Sequence, residues 1–276
     1  MASASPIMSP ERKSGRIGER FARCAARGAG ALVTYVTAGY PAPADTLDVL
    51  LRVAEAGADV IEFGIPFSDP LADGPTIQRA SQRAIAAGAT LARSLEALAE
   101  FRARSDTPVV VFTYLNPLLA YGVERFIRDS HAAGADGVLL TDLPVGGDVA
   151  LERAFEESPL DLVRLLAPTT PPDRAARIAA RSRGFLYYIS RTGVTGATDT
   201  LRAEIGREID AIRPHAAAPI AVGFGISTPA QAVEAARAAD GVVVGSALID
   251  ALDRGGTSGL VEFVGSLRKA LDAAQR

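Results

Sequence analysis

Short apolar segments rich in β-branched residues alternate with helix-forming segments along almost the whole chain. Eight have the length and composition of buried strands, and they cover residues 31–36, 59–63, 108–112, 137–141, 160–166, 185–190, 220–222 and 241–244. Segments with helical periodicity lie between them, at residues 46–56, 91–103, 122–133, 172–181, 201–212 and 229–239. Apolar strands that alternate with helices indicate a parallel sheet that is covered on both faces.

Eight strand–helix units favour an α/β fold in which the sheet closes into a single (β/α)8 TIM barrel over an open, doubly wound sheet. The pattern Ala-Gly-Ala-Asp occurs at residues 56–59 and 133–136, where Gly ends a helix before a strand. No linker divides the chain, so one barrel domain is predicted over residues 15–276, beginning with an extra N-terminal helix. Residues 1–14 are interpreted as a flexible leader, with a short organellar targeting segment as the alternative.

The chain has few of the side chains that support covalent or metal chemistry. Its 276 residues include two histidines, His131 and His215, one cysteine, Cys24, and two lysines, Lys13 and Lys269. These counts argue against a Cys/His zinc site, a Ser-His-Asp triad and a Schiff-base lysine. Carboxylates and hydroxyls are therefore expected to carry any catalysis, and no metal site is predicted.

Charge and hydropathy exclude other classes of function. The net charge is −3 and no basic stripe is present, which argues against a nucleic-acid partner. No run of eighteen apolar residues occurs, so no membrane span is expected, and the leader lacks the apolar core of a secretory signal. A single cysteine fits a reducing compartment, so a cytoplasmic location is expected.

The segment VIEFGIPFSDPLADGPTIQ, residues 60–78, holds the strongest candidates for acid–base chemistry. Glu62 lies on a predicted buried strand, between Ile61 and Phe63. An unpaired carboxylate is costly to ionise there, so its presence favours a function over a structural role. Asp73 follows in a loop and is the candidate for a second acid. The alternative is that the loop aspartates only stabilise turns.

Glycine-rich turns follow the last three predicted strands, where barrels of this kind commonly bind phosphate. The turns lie at residues 190–197, 223–227 and 245–246, and a short helix is predicted at residues 247–252. Glycines let backbone N–H groups approach an anion, and a helix N-terminus adds partial positive charge. A phosphate site is predicted there, unless the glycines only serve tight turns. Other strand ends supply weaker candidates: Tyr114, Asp142, Tyr187 and Arg191.

The motif GIPFSDPLADGPTIQ, residues 64–78, resembles the signature of the tryptophan synthase alpha chain family. Similar motifs follow at residues 116–117, 142–144, 166–171, 190–196, 223–227 and 245–246, so the resemblance covers roughly residues 17–270. Tyr40 is a departure, since many members have Asp there. The resemblance implies cleavage of indole-3-glycerol phosphate to indole and glyceraldehyde 3-phosphate. It also implies a beta chain partner in an alpha2beta2 heterotetramer, with pyridoxal phosphate in the beta chain and no cofactor in this one.

Residue roles follow from the resemblance by position. It implies that Glu62 and Asp73 are the catalytic pair. Substrate and phosphate contacts are implied for Tyr187, Gly196, Phe224, Gly225, Gly245 and Ser246, and Tyr114 and Thr195 are further pocket candidates. Candidates for the beta-chain interface are Asp69, Pro70, Asn116 and Pro144, and residues 191–200 are implied to form a lid.

The two carboxyls are expected to divide the work. The apolar strand should raise the pKa of Glu62, so that it can protonate ring carbon C3 of the indole and then handle the hydroxyl proton. Asp73, expected to stay ionised in a polar loop, would stabilise the ring cation.

Three other functions remain open on the sequence. They are a stand-alone indole-releasing lyase, a sugar-phosphate isomerase and a non-catalytic subunit that binds a phosphate ligand. An isomerase usually uses an electrophilic His or Lys, and neither lies at a predicted strand end. The Glu62 and Asp73 pair argues against a loss of catalysis.

Overall fold

The chain folds into a closed eight-stranded parallel barrel in the computed structural model, which describes residues 15–190, 199–223 and 225–274. The strands pair in chain order and the last pairs with the first, which confirms the predicted TIM barrel. They are β1 Ala31–Thr37, β2 Val60–Gly64, β3 Val109–Thr113, β4 Gly137–Leu140, β5 Asp161–Leu166, β6 Leu186–Ile189, β7 Ile220–Gly223 and β8 Gly241–Val244. The predicted leader, residues 1–14, lies outside the described residues, as do residues 191–198 of the implied lid.

The helices follow the strands around the outside of the barrel, except for the first, which precedes β1. Those described are α1 Arg16–Ala26, α2 Thr46–Glu55, α3 Pro75–Ala86, α4 Leu91–Arg102, α5 Leu115–Tyr121, α6 Val123–Ala132, α7 Val149–Glu156, α8 Pro172–Arg181, α9 Asp199–Ile212, α10 Pro229–Ala238 and α11 Ser246–Ala273. The predicted short helix after β8 is the first part of α11, which is interrupted at Gly256, where φ is 60°. No helix in the described part of the chain is long and apolar enough to cross a membrane.

The inside of the barrel is filled from its N-terminal end. Alternate strand residues point inward and form one apolar cluster with Phe185, which directly precedes β6. The strand residues are Ala31, Val33, Val60, Val110, Leu139, Val163, Ala221 and Val243. Helix α1 adds Ile17, Phe21 and Cys24 to this cluster, and the rings of Phe21 and Phe185 stack at 5.7 Å. Because apolar side chains plug this end, a ligand enters the barrel from the C-terminal end of the strands.

Three aspartates repeat one arrangement at the plugged end. Each accepts a hydrogen bond from a main-chain N–H of the preceding strand, in the pairs Asp59 with Leu32, Asp136 with Val109, and Asp240 with Ile220. Each also pairs with an arginine: Arg268 at 2.6 Å, Arg102 at 3.0 Å and Arg213 at 3.0 Å, respectively. Asp59 and Asp136, which end the two Ala-Gly-Ala-Asp patterns, and Asp240 therefore join neighbouring strands at the end of the barrel opposite to the site described next.

Candidate active site

A cavity of about 370 Å³ opens at the C-terminal end of the barrel. The strands line it with inward-facing side chains, namely Tyr35, Glu62, Phe112, Leu165, Tyr187, Ile189 and Val243, and Thr141 directly after β4 adds another. The connections after β2, β7 and β8 supply much of the remaining wall, including Ala72, Asp73, Gly74, Gly225, Ile226, Ser227, Gly245 and Ser246. The cavity therefore combines apolar side chains with a carboxyl and two phenols along the strands, and the connections add Asp73 and two serines.

Glu62 points into the cavity because it lies on the inward face of β2, in phase with Val60. Its neighbours Ile61 and Phe63 pack outward against the helices. Glu62 is 1% exposed, and its Oε1 has no hydrogen-bond partner within the described residues. Burial raises the pKa of Glu62 to about 8 from the ordinary 4.5. At neutral pH this carboxyl is therefore largely protonated and holds a proton that it can give to a bound molecule.

Asp73 reaches the same cavity from the loop between β2 and α3. Its N–H donates to the carbonyl of Pro70 at 3.0 Å, and the Gln78 amide donates to its carbonyl at 2.9 Å. Tyr114 supports the loop, because its phenol oxygen accepts the Ala72 N–H at 3.0 Å and its hydroxyl donates to the Asp73 carboxylate. Burial raises the pKa of Asp73 to about 6, and the bond from Tyr114 opposes that rise.

The surroundings of Asp73 differ from those predicted. The sequence indicated a polar loop, whereas the carboxyl is partly withdrawn from water and its pKa lies above the ordinary 3.8. Its ionised form is favoured by the Tyr114 hydroxyl. With pKa values of about 8 for Glu62 and about 6 for Asp73, the first is largely protonated and the second largely ionised at pH 7.

Two tyrosines extend over glycines of neighbouring strands beside the acids. A Cβ on Gly64 would collide with the phenol oxygen of Tyr35, and a Cβ on Gly223 with that of Tyr187. Burial raises the pKa of both phenols, and the nearby carboxyls contribute to the rise. Both phenols therefore remain neutral, so each can donate and accept hydrogen bonds in the cavity.

Tyr35 was not predicted as a site residue, although strand alternation contains the signal for it. It lies in phase with Val33 on the inward face of β1, and it pairs in register with Glu62 of β2. Register partners on neighbouring parallel strands point to the same face of the sheet, so Tyr35 faces the barrel interior as Glu62 does.

The connections after β7 and β8 place backbone donors at the cavity. Helix α11 begins at Ser246, and no side chain caps its N-terminus at Gly245. In contrast, Thr228 and Gln231 form a capping box that satisfies the N-terminus of α10. The first N–H groups of α11 lack intrahelical partners, so they are available to an anion in the cavity.

The cavity brings together most of the predicted site. Its wall includes Glu62, Asp73, Tyr187, Gly225, Gly245 and Ser246. Tyr114 supports Asp73 from behind and is not among the described lining residues. The predicted residues Arg191, Thr195, Gly196 and Phe224 lie outside the described residues. Asp142 accepts the Leu115 N–H at 2.8 Å and so stabilises the start of α5.

The four interface candidates differ in exposure. Asp69, Asn116 and Pro144 are exposed on the connections after β2, β3 and β4. Pro70 is buried, and its carbonyl accepts the Asp73 N–H. The side chain of Pro70 therefore belongs to the inside of the loop.

A family model and the sequences of two relatives identify the same protein family. The family model of the tryptophan synthase alpha chain matches residues 21–269. The tryptophan synthase alpha chain of Citrifermentans bemidjiense is 48% identical over 256 residues, which cover 93% of this chain and 96% of that protein. The alpha chain of Geobacter sulfurreducens is 45% identical over 260 residues, which cover 93% and 98%.

Solved structures agree with these relatives. A chain of Mycobacterium tuberculosis tryptophan synthase superimposes with a TM-score of 0.87 at 37% identity, covering 94% of this chain and 99% of that chain. Tryptophan synthase subunit alpha from Legionella pneumophila gives a TM-score of 0.86 at 34% identity, with coverage of 94% and 99%.

Proposed function

The chain belongs to the tryptophan synthase alpha chain family, and we propose that Glu62 and Asp73 perform the chemistry of its reaction. The chain is a carbon–carbon lyase that cleaves indole-3-glycerol phosphate to indole and glyceraldehyde 3-phosphate, and its partner is the beta chain. One observation carries the assignment of roles. Two carboxyls face one cavity with pKa values of about 8 and about 6, which suits them to opposite tasks.

The reaction needs a place for the electrons of the breaking bond, and the indole ring provides it. Protonated Glu62 gives its proton to ring carbon C3, which leaves a cation delocalised onto the ring nitrogen. Ionised Asp73 accepts the hydrogen bond from the ring N–H and stabilises that cation. The bond between C3 and the glycerol carbon then breaks, and its electrons restore the indole. The hydroxyl on that carbon passes its proton to Glu62, which forms the aldehyde and restores the acid.

The two parts of the cavity match the two parts of this substrate. Phe112, Leu165 and Ile189 offer apolar surface for the indole ring. Backbone N–H groups at Gly245 and Ser246 support a phosphate contact at the start of α11. The family resemblance adds Gly225, together with Gly196 and Phe224 outside the described residues. No histidine or lysine occurs among the described lining residues, which disfavours the isomerase alternative.

Replacing Gly245 with Val is expected to weaken phosphate binding selectively. A Cβ there would meet Tyr35 and Ile77 at 3.6 and 3.7 Å, which are ordinary contacts, so the fold should tolerate the change. The branched methyls would obstruct the start of α11. The dissociation constant of glycerol 3-phosphate should rise about 30-fold, the loss of roughly 2 kcal/mol of charge-assisted hydrogen bonding, while that of indole changes less than about 2-fold. Calorimetry measures both, and an equal loss for the two ligands would contradict the phosphate assignment.

We further propose that the beta chain docks on the connections after β2, β3 and β4. Consecutive connections after β2, β3 and β4 expose apolar side chains, namely Leu71, Leu119 and Val149, in addition to Asp69, Asn116 and Pro144. Exposed apolar groups on neighbouring loops are typical of a protein interface.

The proposed assembly is an alpha2beta2 heterotetramer in the cytoplasm. Pyridoxal phosphate would lie in the beta chain, and this chain, with one barrel domain over residues 15–276, would use no cofactor.

Adding a beta chain is expected to raise indole formation at least about 10-fold, within the usual range of coupling between two sites. The reason is that Asp73 shares its loop with exposed Leu71, so a docked partner would restrict the motion of a catalytic group. Indole release from indole-3-glycerol phosphate is measured with and without the beta chain. A rate that the beta chain leaves unchanged would instead support a stand-alone lyase.

A further inference from the structure

A buried ion pair lies outside the barrel, against the connection that follows β4. Arg164 of β5 and Glu152 of α7 have side chains only 4% and 3% exposed, and Nη2 of the arginine lies 2.9 Å from Oε2 of the glutamate. Burying two charges is costly, and apolar replacements of such pairs are often neutral or stabilising. A gain in stability is therefore a weak explanation for this pair.

Both partners hold main-chain atoms of the same connection. Oε1 of Glu152 accepts the Gly146 N–H at 2.5 Å, and Nη1 of Arg164 donates to the Leu143 carbonyl at 3.5 Å. Arg181 adds a second cation to Glu152 at 3.3 Å. The segment of residues 143–146 is thus attached at both ends to one buried ion pair.

This connection runs from the cavity to the proposed beta-chain interface. Thr141 at its start lines the cavity, and Pro144 further along is exposed. Between them, Asp142 accepts the N–H of Leu115, the first residue of α5. A displacement of residues 143–146 would therefore disturb Pro144 and the start of α5 together.

We propose that Arg164 and Glu152 are a positioning pair that holds residues 143–146 in the shape to which the beta chain binds. The proposal rests on the proposed interface at Pro144. Neither the pair nor residues 143–146 are among the described residues that line the cavity, so the pair acts on partner binding and not on the chemical step.

The double variant Arg164→Met/Glu152→Met tests the proposal, because it removes both charges and the acceptor for the Gly146 N–H without leaving a lone buried charge. Indole formation by the chain alone should stay within about 2-fold of wild type. The beta-chain concentration for half-maximal stimulation should rise at least about 10-fold. Amide exchange of Leu143 and of residues 145–148 should become faster, which a purely structural loss elsewhere would not cause.

Two further variants separate positioning from general stability. Arg164→Met/Glu152→Gln keeps an acceptor for the Gly146 N–H but still lacks the donor to the Leu143 carbonyl, so its half-maximal concentration should lie between those of the wild type and the double methionine variant. Arg102→Met breaks another largely buried pair, with Asp136, in which the side chains are 15% and 7% exposed at the opposite end of the barrel. It should lower the midpoint of urea unfolding but leave the half-maximal concentration unchanged.

Pro144→Asp distinguishes failure of this proposal from failure of the interface. If Pro144→Asp weakens stimulation and the folded Met/Met variant does not, the positioning role is wrong and the interface stands. If neither variant changes stimulation, the positioning role and the interface are both wrong. If the Arg164→Met/Glu152→Met variant shows no cooperative unfolding, Arg164→Lys is tested in its place. Lysine keeps the charge but has no guanidinium to reach both Leu143 and Glu152. An unchanged half-maximal concentration in Arg164→Lys would then overturn the proposal.

Discussion

Replacing Glu62 with Gln is expected to lower indole formation about 10³-fold or more, because general acid–base catalysis by one group contributes on that order. The amide has nearly the same size as the acid but can neither protonate C3 nor accept the hydroxyl proton. The change introduces no buried charge in the barrel, where Glu62 is 1% exposed. The variant should therefore fold and bind glycerol 3-phosphate within about 3-fold of wild type, since a neutral isostere leaves that end of the cavity unaltered.

Steady-state kinetics with saturating beta chain measure this loss, and calorimetry measures the retained binding. The matched control is Glu208→Gln, because Glu208 accepts the Tyr188 hydroxyl at 2.5 Å outside the cavity. That variant should turn over within about 3-fold of wild type, as expected for a group that only supports structure. Near-normal turnover in Glu62→Gln would exclude Glu62 as the proton donor.

The same variant reports on the pKa of Glu62 without turnover. The folded protein raises this pKa to about 8 from 4.5, so the folded state binds the proton more tightly than the unfolded state. Ionising Glu62 therefore opposes folding, and the free energy of unfolding of the wild type should fall, relative to Glu62→Gln, as pH rises from about 4.5 to about 8. Urea unfolding at pH 5 and pH 8.5 measures the difference, and parallel values would contradict the raised pKa.

Local sequence patterns are sufficient for much of this fold and for part of the site. Eight strand-like segments predict the closed barrel, because parallel strands buried on both faces are apolar throughout. The position of Glu62 follows from the same pattern, since a carboxylate on such a strand either faces the barrel interior or is paired outside it. Asp73 lies in the loop that follows a predicted strand, and the turns at Gly225 and Gly245 follow two others, so the same pattern indicates all three.

Other features depend on contacts between distant segments. Tyr114 reaches Asp73 only because β2 and β3 are neighbours and the intervening loop folds back over the phenol. No periodicity in the sequence encodes that bond, so the sequence predicts only a polar loop around Asp73. Arg164 looks like an ordinary polar residue in a strand until the barrel places α7 and Glu152 against it. Helices α5 and α7, with seven and eight residues, are too short for a periodic signal.

Replacing Asp73 with Asn is expected to lower kcat about 10²- to 10³-fold, the usual effect of removing one group that stabilises transition-state charge. The Asn side chain still reaches the ring N–H, but a neutral amide oxygen stabilises the ring cation less than a carboxylate does. Binding of the uncharged product indole should change less than about 3-fold, since indole carries no charge to stabilise. A similar loss in indole binding and in kcat would mean that Asp73 only holds the ring in place.

The pH dependence of kcat/KM separates Asp73 from Glu62. Asp73 acts ionised, so activity should rise as pH increases through about 6, and Glu62 acts protonated, so activity should fall above about 8. Asp73→Asn should remove the acidic limb and keep the basic one. Tyr114→Phe should keep both but move the acidic limb to higher pH, because the Tyr114 hydrogen bond lowers the pKa of Asp73. An acidic limb that persists near pH 6 in Asp73→Asn would assign it to another group, and the two-carboxyl division of roles would fail.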